Sequence, residues 1–81
     1  MKNLQQQLHK YIQEPLNPEC NFGLGYEYEK IGQNASALSY YLRCAELSEE
    51  RDLVYECLLK SWYMLNKTGR REWYEHQQLL T

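Results

Sequence analysis

The chain lacks most of what marks a nucleic-acid-binding, membrane or metal protein. Nine basic residues stand against eleven acidic ones, a net charge of −2 over 81 residues, and the two signs are interspersed. There is no basic stripe to neutralise phosphates, so no nucleic-acid partner is expected. No apolar run approaches the roughly 20 residues that span a bilayer, so no membrane partner is expected either. After Lys2 the N-terminus continues with Gln5-Gln6-Gln7 instead of the apolar core of a signal peptide. Histidine is nearly absent, with His9 and His76 at opposite ends. Donors so dispersed do not form a metal site, and Glu72 with Glu75-His76 does not make the His-Glu-x-x-His zinc pattern. No cofactor and no metal are expected.

Cysteine is present but not in a pattern. Cys20, Cys44 and Cys57 are an odd number with no Cys-x-x-Cys spacing, whereas a disulfide framework favours an even count. Cys44 stands where a small buried residue is wanted, and a free cysteine packs as a small hydrophobe. Neither Cys44 nor Cys57 has the electropositive setting of a nucleophile. Reduced thiols and a cytoplasmic location are the expectation.

Apolar residues make up 43% of the chain, including eight tyrosines and two tryptophans. That is an ordinary globular fraction with a heavy aromatic load, which suits a thin two-layer helical stack. A single domain this small buries only about 60% of its unfolded surface. Acidic residues cluster from Glu46 to Glu56, and Lys60, Lys67, Arg70 and Arg71 follow. The C-terminal half is therefore a modest dipole of solvated helix faces.

Periodicity predicts helices throughout. Leu4, Leu8, Tyr11 and Ile12 make one stripe of an opening helix that Pro15 ends. Asn17 is a good N-cap and Pro18 a good first residue for a helix running to about Ile31. Gly32-Gln33-Asn34 is a turn, and a second helix runs from about Ala35 to Leu47. Ser48 reads as the next N-cap, with a third helix continuing through Leu53, Cys57, Leu58 and Trp62 to about Asn66. Lys67-Thr68-Gly69 is read as a turn, and Arg70 to Leu80 as a last helix. The expected fold is all-α with about five helices.

The stretch from Asn21 to Ala45 organises the rest. Gly25 and Ala37 are small enough for two antiparallel backbones to approach closely, while Leu24, Tyr28 and Tyr41 fill the seam. This resembles the tetratricopeptide repeat, a helix–turn–helix unit of about 34 residues. The resemblance implies antiparallel hairpins stacked as a right-handed superhelix, with an N-terminal helix over 1–14, a well-matched repeat over 18–47 and a degenerate one over 49–80. In the second unit Trp62 takes the place of Gly25 and Tyr74 that of Ala37, so its helices must sit further apart. A narrower resemblance runs through Tyr11-Ile12-Gln13-Glu14-Pro15, Asn17-Pro18, Asn21-Phe22, Gly32-Gln33, Tyr41-Leu42-Arg43 and Tyr55-Glu56-Cys57-Leu58-Leu59-Lys60. These segments look like the helical repeat region of phage glycosyltransferases. The chain has no room for the catalytic domain and no aspartate pair, since Asp52 is its only aspartate. What this implies is a phage-encoded interaction protein in the host cytoplasm, or an accessory module docking on a separately encoded enzyme.

The family's groove-facing positions fall on Glu19, Phe22, Tyr26, Glu29 and Lys30, then on Glu56, Leu59, Tyr63, Asn66 and Lys67. Phe22 and Tyr26 facing Leu59 and Tyr63 would anchor a helix or extended peptide. Alternatively, the N-terminal helix fills the groove from within. The lysine and asparagine that clamp a C-terminal carboxylate in one class of these repeats are replaced here by Phe22 and Tyr26, so that mode is not expected. Trp73, His76, Gln77 and Leu80 are expected to join a second copy or another protein, because repeat arrays need a polar cap and this chain has none. The sequons Asn34-Ala35-Ser36 and Asn66-Lys67-Thr68 read as turn formers. No polar cluster converges as an active site would, so a non-catalytic protein- or peptide-binding module is the expectation.

Overall fold

Asn17 and Pro18 set the start of the central hairpin. The Asn17 side chain accepts hydrogen bonds from the backbone N–H groups of Glu19 at 2.8 Å and Cys20 at 3.4 Å, and Pro18 fills the first turn. In this computed structural model, which describes the backbone of residues 3–80 and the side chains of residues 3–67, four helices follow one another. They are α1 (Leu4–Gln13), α2 (Pro18–Lys30), α3 (Asn34–Leu47) and α4 (Arg51–Leu80). There is no strand among the described residues. The helices pack in series, α1 on α2, α2 on α3, and α3 on α4.

The α2–α3 hairpin turns at Gly32, whose φ of +79° is in the left-handed region that glycine enters without penalty. Its seam closes as the spacing predicts. Leu24, Gly25, Ala37 and Tyr41 are buried, and a Cβ placed on Gly25 would stand 2.8 Å from the Tyr41 ring. The core joins Ala37, Leu38, Tyr41 and Met64, with Phe22, Tyr28, Leu42 and Leu65 packed against its edge. Tyr28 stacks on Tyr40 with the rings nearly parallel, centroids 5.5 Å apart, and Tyr11 of α1 meets the edge of Tyr40 at 5.6 Å.

Three expectations about the helices are corrected. Lys67-Thr68-Gly69 is not a turn, because α4 runs unbroken from Arg51 to Leu80 and the helix count is four. A glycine inside a helix costs only about 1 kcal/mol, and no proline follows to enforce a stop. Ser48 is not the cap of α4 either. Its hydroxyl accepts the Glu50 N–H at 3.2 Å, forming a turn one step ahead of the helix, and the Glu50 carbonyl accepts the first helical bond, from Val54. The opening helix keeps only part of its expected stripe, since Leu4, Leu8 and Tyr11 are half-buried and Ile12 is not. Asn3 and Gln6 close a capping box, Gln7 is buried against α2, and Ile12 is exposed. Gly23 is the reason: a Cβ there would collide with the Gln7 amide, so the bare glycine admits the glutamine.

Cys44 and Cys57 form a disulfide between α3 and α4, which corrects the expectation that all three thiols are reduced. Each falls on the inner face of its own helix and their Cα atoms are 6.1 Å apart, a separation a disulfide bridges. The sequence shows only an interval of 13 residues, and no motif marks such a pair.

Candidate partner-binding face

Burial on α4 follows helical spacing twice. Cys57, Ser61 and Met64 are buried against α3, and the Ser61 hydroxyl satisfies itself on the Cys57 carbonyl at 2.7 Å. On the opposite side Tyr55, Leu58, Leu59, Trp62 and Tyr63 are all exposed. These are positions i, i+3, i+4, i+7 and i+8, one face of a helix. α4 is therefore apolar on two faces and the fold uses one of them.

Beside this row α2 contributes Tyr26, Glu29 and Lys30. Glu29 is the hinge of the arrangement. One of its carboxylate oxygens accepts the Tyr41 hydroxyl at 2.7 Å and the Lys60 ammonium at 3.3 Å. Lys60 lies 5.9 Å from the centroid of the Tyr26 ring and 6.0 Å from that of Tyr41. Lys30 sits 5.2 Å from the centroid of the same Tyr26 ring and pairs with the buried carboxylate of Glu27 at 3.1 Å. Further along α4, Lys67 covers the Tyr63 ring at 4.8 Å. A cation this close to the face of an aromatic ring is attracted to it. Glu29, Glu56, Leu59, Lys60 and Tyr63 line an open hollow of about 460 Å³.

Of the ten groove positions read from the sequence, Tyr26, Glu29, Lys30, Glu56, Leu59 and Tyr63 come together here. Asn66 and Lys67 are exposed one turn further on α4. Two positions stand elsewhere. Phe22 packs against Tyr41, centroids 5.4 Å apart, at the edge of the core rather than as an exposed anchor. Glu19 lines a separate hollow of about 710 Å³ at the end of the molecule, with Glu14, Glu49 and Glu50. The side chains of Trp73, His76, Gln77 and Leu80 lie outside the described residues. α1 docks on α2 through Gln7 and on Tyr40 through Tyr11, and Tyr26, Leu59 and Tyr63 remain exposed.

Tyr55, Leu58 and Trp62 were not among the groove positions, and Lys60 was read only as part of a solvated helix face. The signal for the first three is in the sequence, since two apolar stripes share one helix. Lys60 has no such signal, because its partner Glu29 is 31 residues away.

Burial and charge change few groups. Desolvation, then the Glu29 hydrogen bond and charge, push the Tyr41 hydroxyl far above the ordinary phenol range. Burial, then Tyr28 and Tyr11, raise Tyr40. Burial, with Glu14 next, raises the free thiol of Cys20, which makes it a poor nucleophile. No group of three or more His, Cys, Asp or Glu side chains among the described residues could hold a metal ion. Among the same residues no helix is long and apolar enough to cross a membrane. Compared with known proteins, the chain matches no protein family, no curated sequence and no solved structure.

Proposed function

We propose that this protein is a non-catalytic protein–protein interaction module, a short helical stack of tetratricopeptide type. The observation that carries the reading is the exposed row Tyr55, Leu58, Leu59, Trp62 and Tyr63, flanked by the cation-held Tyr26. Soluble chains rarely leave so many large apolar side chains together on one surface unless another protein covers them. Aromatics centred among charged residues are the usual anchors of such contacts. The tetratricopeptide assignment is supported by the close α2–α3 hairpin and by the serial packing of α4 behind it.

An accessory module of a glycosyltransferase system differs from this reading in its occupant alone, and the resemblance of segments is its support. The cytoplasmic expectation loses one of its two supports, since the Cys44–Cys57 bridge is a bond of oxidising compartments.

A photoreactive phenylalanine analogue replacing Tyr63 tests the reading. Irradiation in producing cells is expected to yield a covalent protein adduct. The same analogue at Ile12, exposed on α1, is expected to yield none. Adducts absent from both positions, or equal at both, would overturn the proposal.

A further inference from the structure

We propose that the outer face of α4 pairs with the same face of a second copy of this chain, antiparallel, about a two-fold axis near Trp62. This rests on the interaction-module reading and names its partner. Two observations carry it, one of area and one of charge.

The area is close to what a dimer needs. Tyr55 is 63% exposed, Leu58 51%, Leu59 52%, Trp62 68% and Tyr63 48%. For side chains of this size that is roughly 500 Å² in one continuous patch. Specific interfaces begin at about 600 Å² per partner, and the flanking charged stems supply the remainder. The row lies on a single unbroken helix, so two copies can meet along its whole length. The same helix carries Trp73 and Leu80 further along in sequence.

The charges choose the orientation. Glu56 stands before the apolar row's centre and Lys67 after it, and both are exposed on the same flank. In an antiparallel pair, same flank meets same flank. Turning a second copy end for end about the midpoint between Ser61 and Trp62 sets Glu56 of each chain across from Lys67 of the other. A parallel pair would instead put that flank of the two copies on opposite sides of the seam, so that neither Glu56 nor Lys67 meets its complement. A two-fold interface of this kind is self-complementary and closed, so it stops at the dimer. The Trp62 rings of the two copies meet beside the axis, where the contact is driest.

Light scattering of the full chain across a range of concentrations tests the proposal. Wild type is expected to give the mass of two chains, and Trp62→Glu the mass of one, with helical content retained by circular dichroism. The charge variants read the orientation. Glu56→Lys and Lys67→Glu are each expected to weaken the dimer by about tenfold or more. An equimolar mixture of the two is expected to recover it, since one chain then presents only basic ends and the other only acidic ends. A wild type that is monomeric throughout overturns the self-pairing. A dimer indifferent to the charge variants, or one that the mixture does not rescue, overturns it too. If wild type is monomeric while the Tyr63 cross-link captures a different protein, self-pairing fails and the interaction reading stands. If wild type is monomeric and no cross-link forms, both fail.

Discussion

Glu29 holds Tyr41 and Lys60 on one carboxylate oxygen, at 2.7 Å and 3.3 Å. Three helices meet at that atom, because Glu29 belongs to α2, Tyr41 to α3 and Lys60 to α4. The carboxylate is mostly shielded and the ammonium about one-third exposed. The contact joins the central core to the candidate partner face, so substitutions there bear on both.

Glu29→Gln keeps an acceptor for the Tyr41 hydroxyl and is expected to cost about 1 kcal/mol. Glu29→Leu strands that hydroxyl in the core and is expected to cost about 2–3 kcal/mol. Chemical denaturation of the two variants checks the order. Equal costs would show that the Tyr41 bond contributes nothing.

Tyr41 gives a stability that depends on alkaline pH. Its hydroxyl is held protonated far above the ordinary phenol value, chiefly by burial. The unfolded chain releases that proton near pH 10, so the contribution is fully present below about pH 10 and is lost as pH rises beyond it. Denaturation midpoints between pH 8 and 11.5 are expected to fall steeply in wild type. In Tyr41→Phe they are expected to fall less, with Tyr40 responsible for part of the remainder. An identical slope in the variant would sink the assignment.

Gly25 and Gly23 respond oppositely to alanine. At Gly25 the new methyl meets the buried Tyr41 ring at 2.8 Å, and that ring cannot withdraw. Overpacking of about 1–3 kcal/mol then exceeds the helix-propensity gain of about 1 kcal/mol. At Gly23 the methyl meets only the end of the Gln7 side chain, which can swing away. Gly23→Ala is expected to raise or preserve the melting temperature while loosening α1, seen as faster amide exchange over residues 4–13.

Reducing Cys44–Cys57 opens a short loop between two packed helices. Chain entropy alone predicts a loss of about 3 kcal/mol, or about 10–20 °C in melting temperature for a chain of this size. Thermal melts with and without a thiol reductant check this, with Cys44→Ala plus Cys57→Ala as the control that no longer responds. A wild type indifferent to reductant would overturn it.

Asn21 is a buried latch. Its amide donates to the Pro15 carbonyl at 3.1 Å and the Asn17 carbonyl at 2.9 Å, and its own oxygen has no partner among the described residues. Asn21→Asp replaces the donor with a carboxylate facing two carbonyls. It is expected to cost more than Asn21→Ala, which loses about 1–3 kcal/mol. Urea midpoints of the two variants decide the order.

Local chemistry was legible and long-range chemistry was not. Asn17-Pro18, Gly32 and the Gly25–Ala37 spacing announce the hairpin, because caps, turns and close approaches are written in neighbouring residues. Gly69 misleads, since a glycine ends a helix only when something else also favours the stop, and here the residues around it continue the helix. Ile12 and Gln7 exchange the places their hydropathy implies because the space beneath them is set by Gly23 on another helix. The tetratricopeptide resemblance puts Phe22 at a groove position, yet its ring packs on Tyr41 at the edge of the core. The Cys44–Cys57 and Glu29–Lys60 contacts depend on how α4 lies over α3 and α2, which no local pattern states.

The serial order of the helices also governs how the molecule comes apart. Each helix leans mainly on its immediate neighbour in the chain, so most contacts are short in sequence and folding has little loop closure to wait for. Such a stack opens from an end rather than all at once. α1, capped but held mainly by a glutamine in a glycine notch and one tyrosine edge, is the end that lets go first. The covalent tie between α3 and α4 makes that pair the last to separate, and it is α4 that presents the apolar row. The exposed apolar face is thus carried by the most durable part of the fold, and outlasts the helix at the other end.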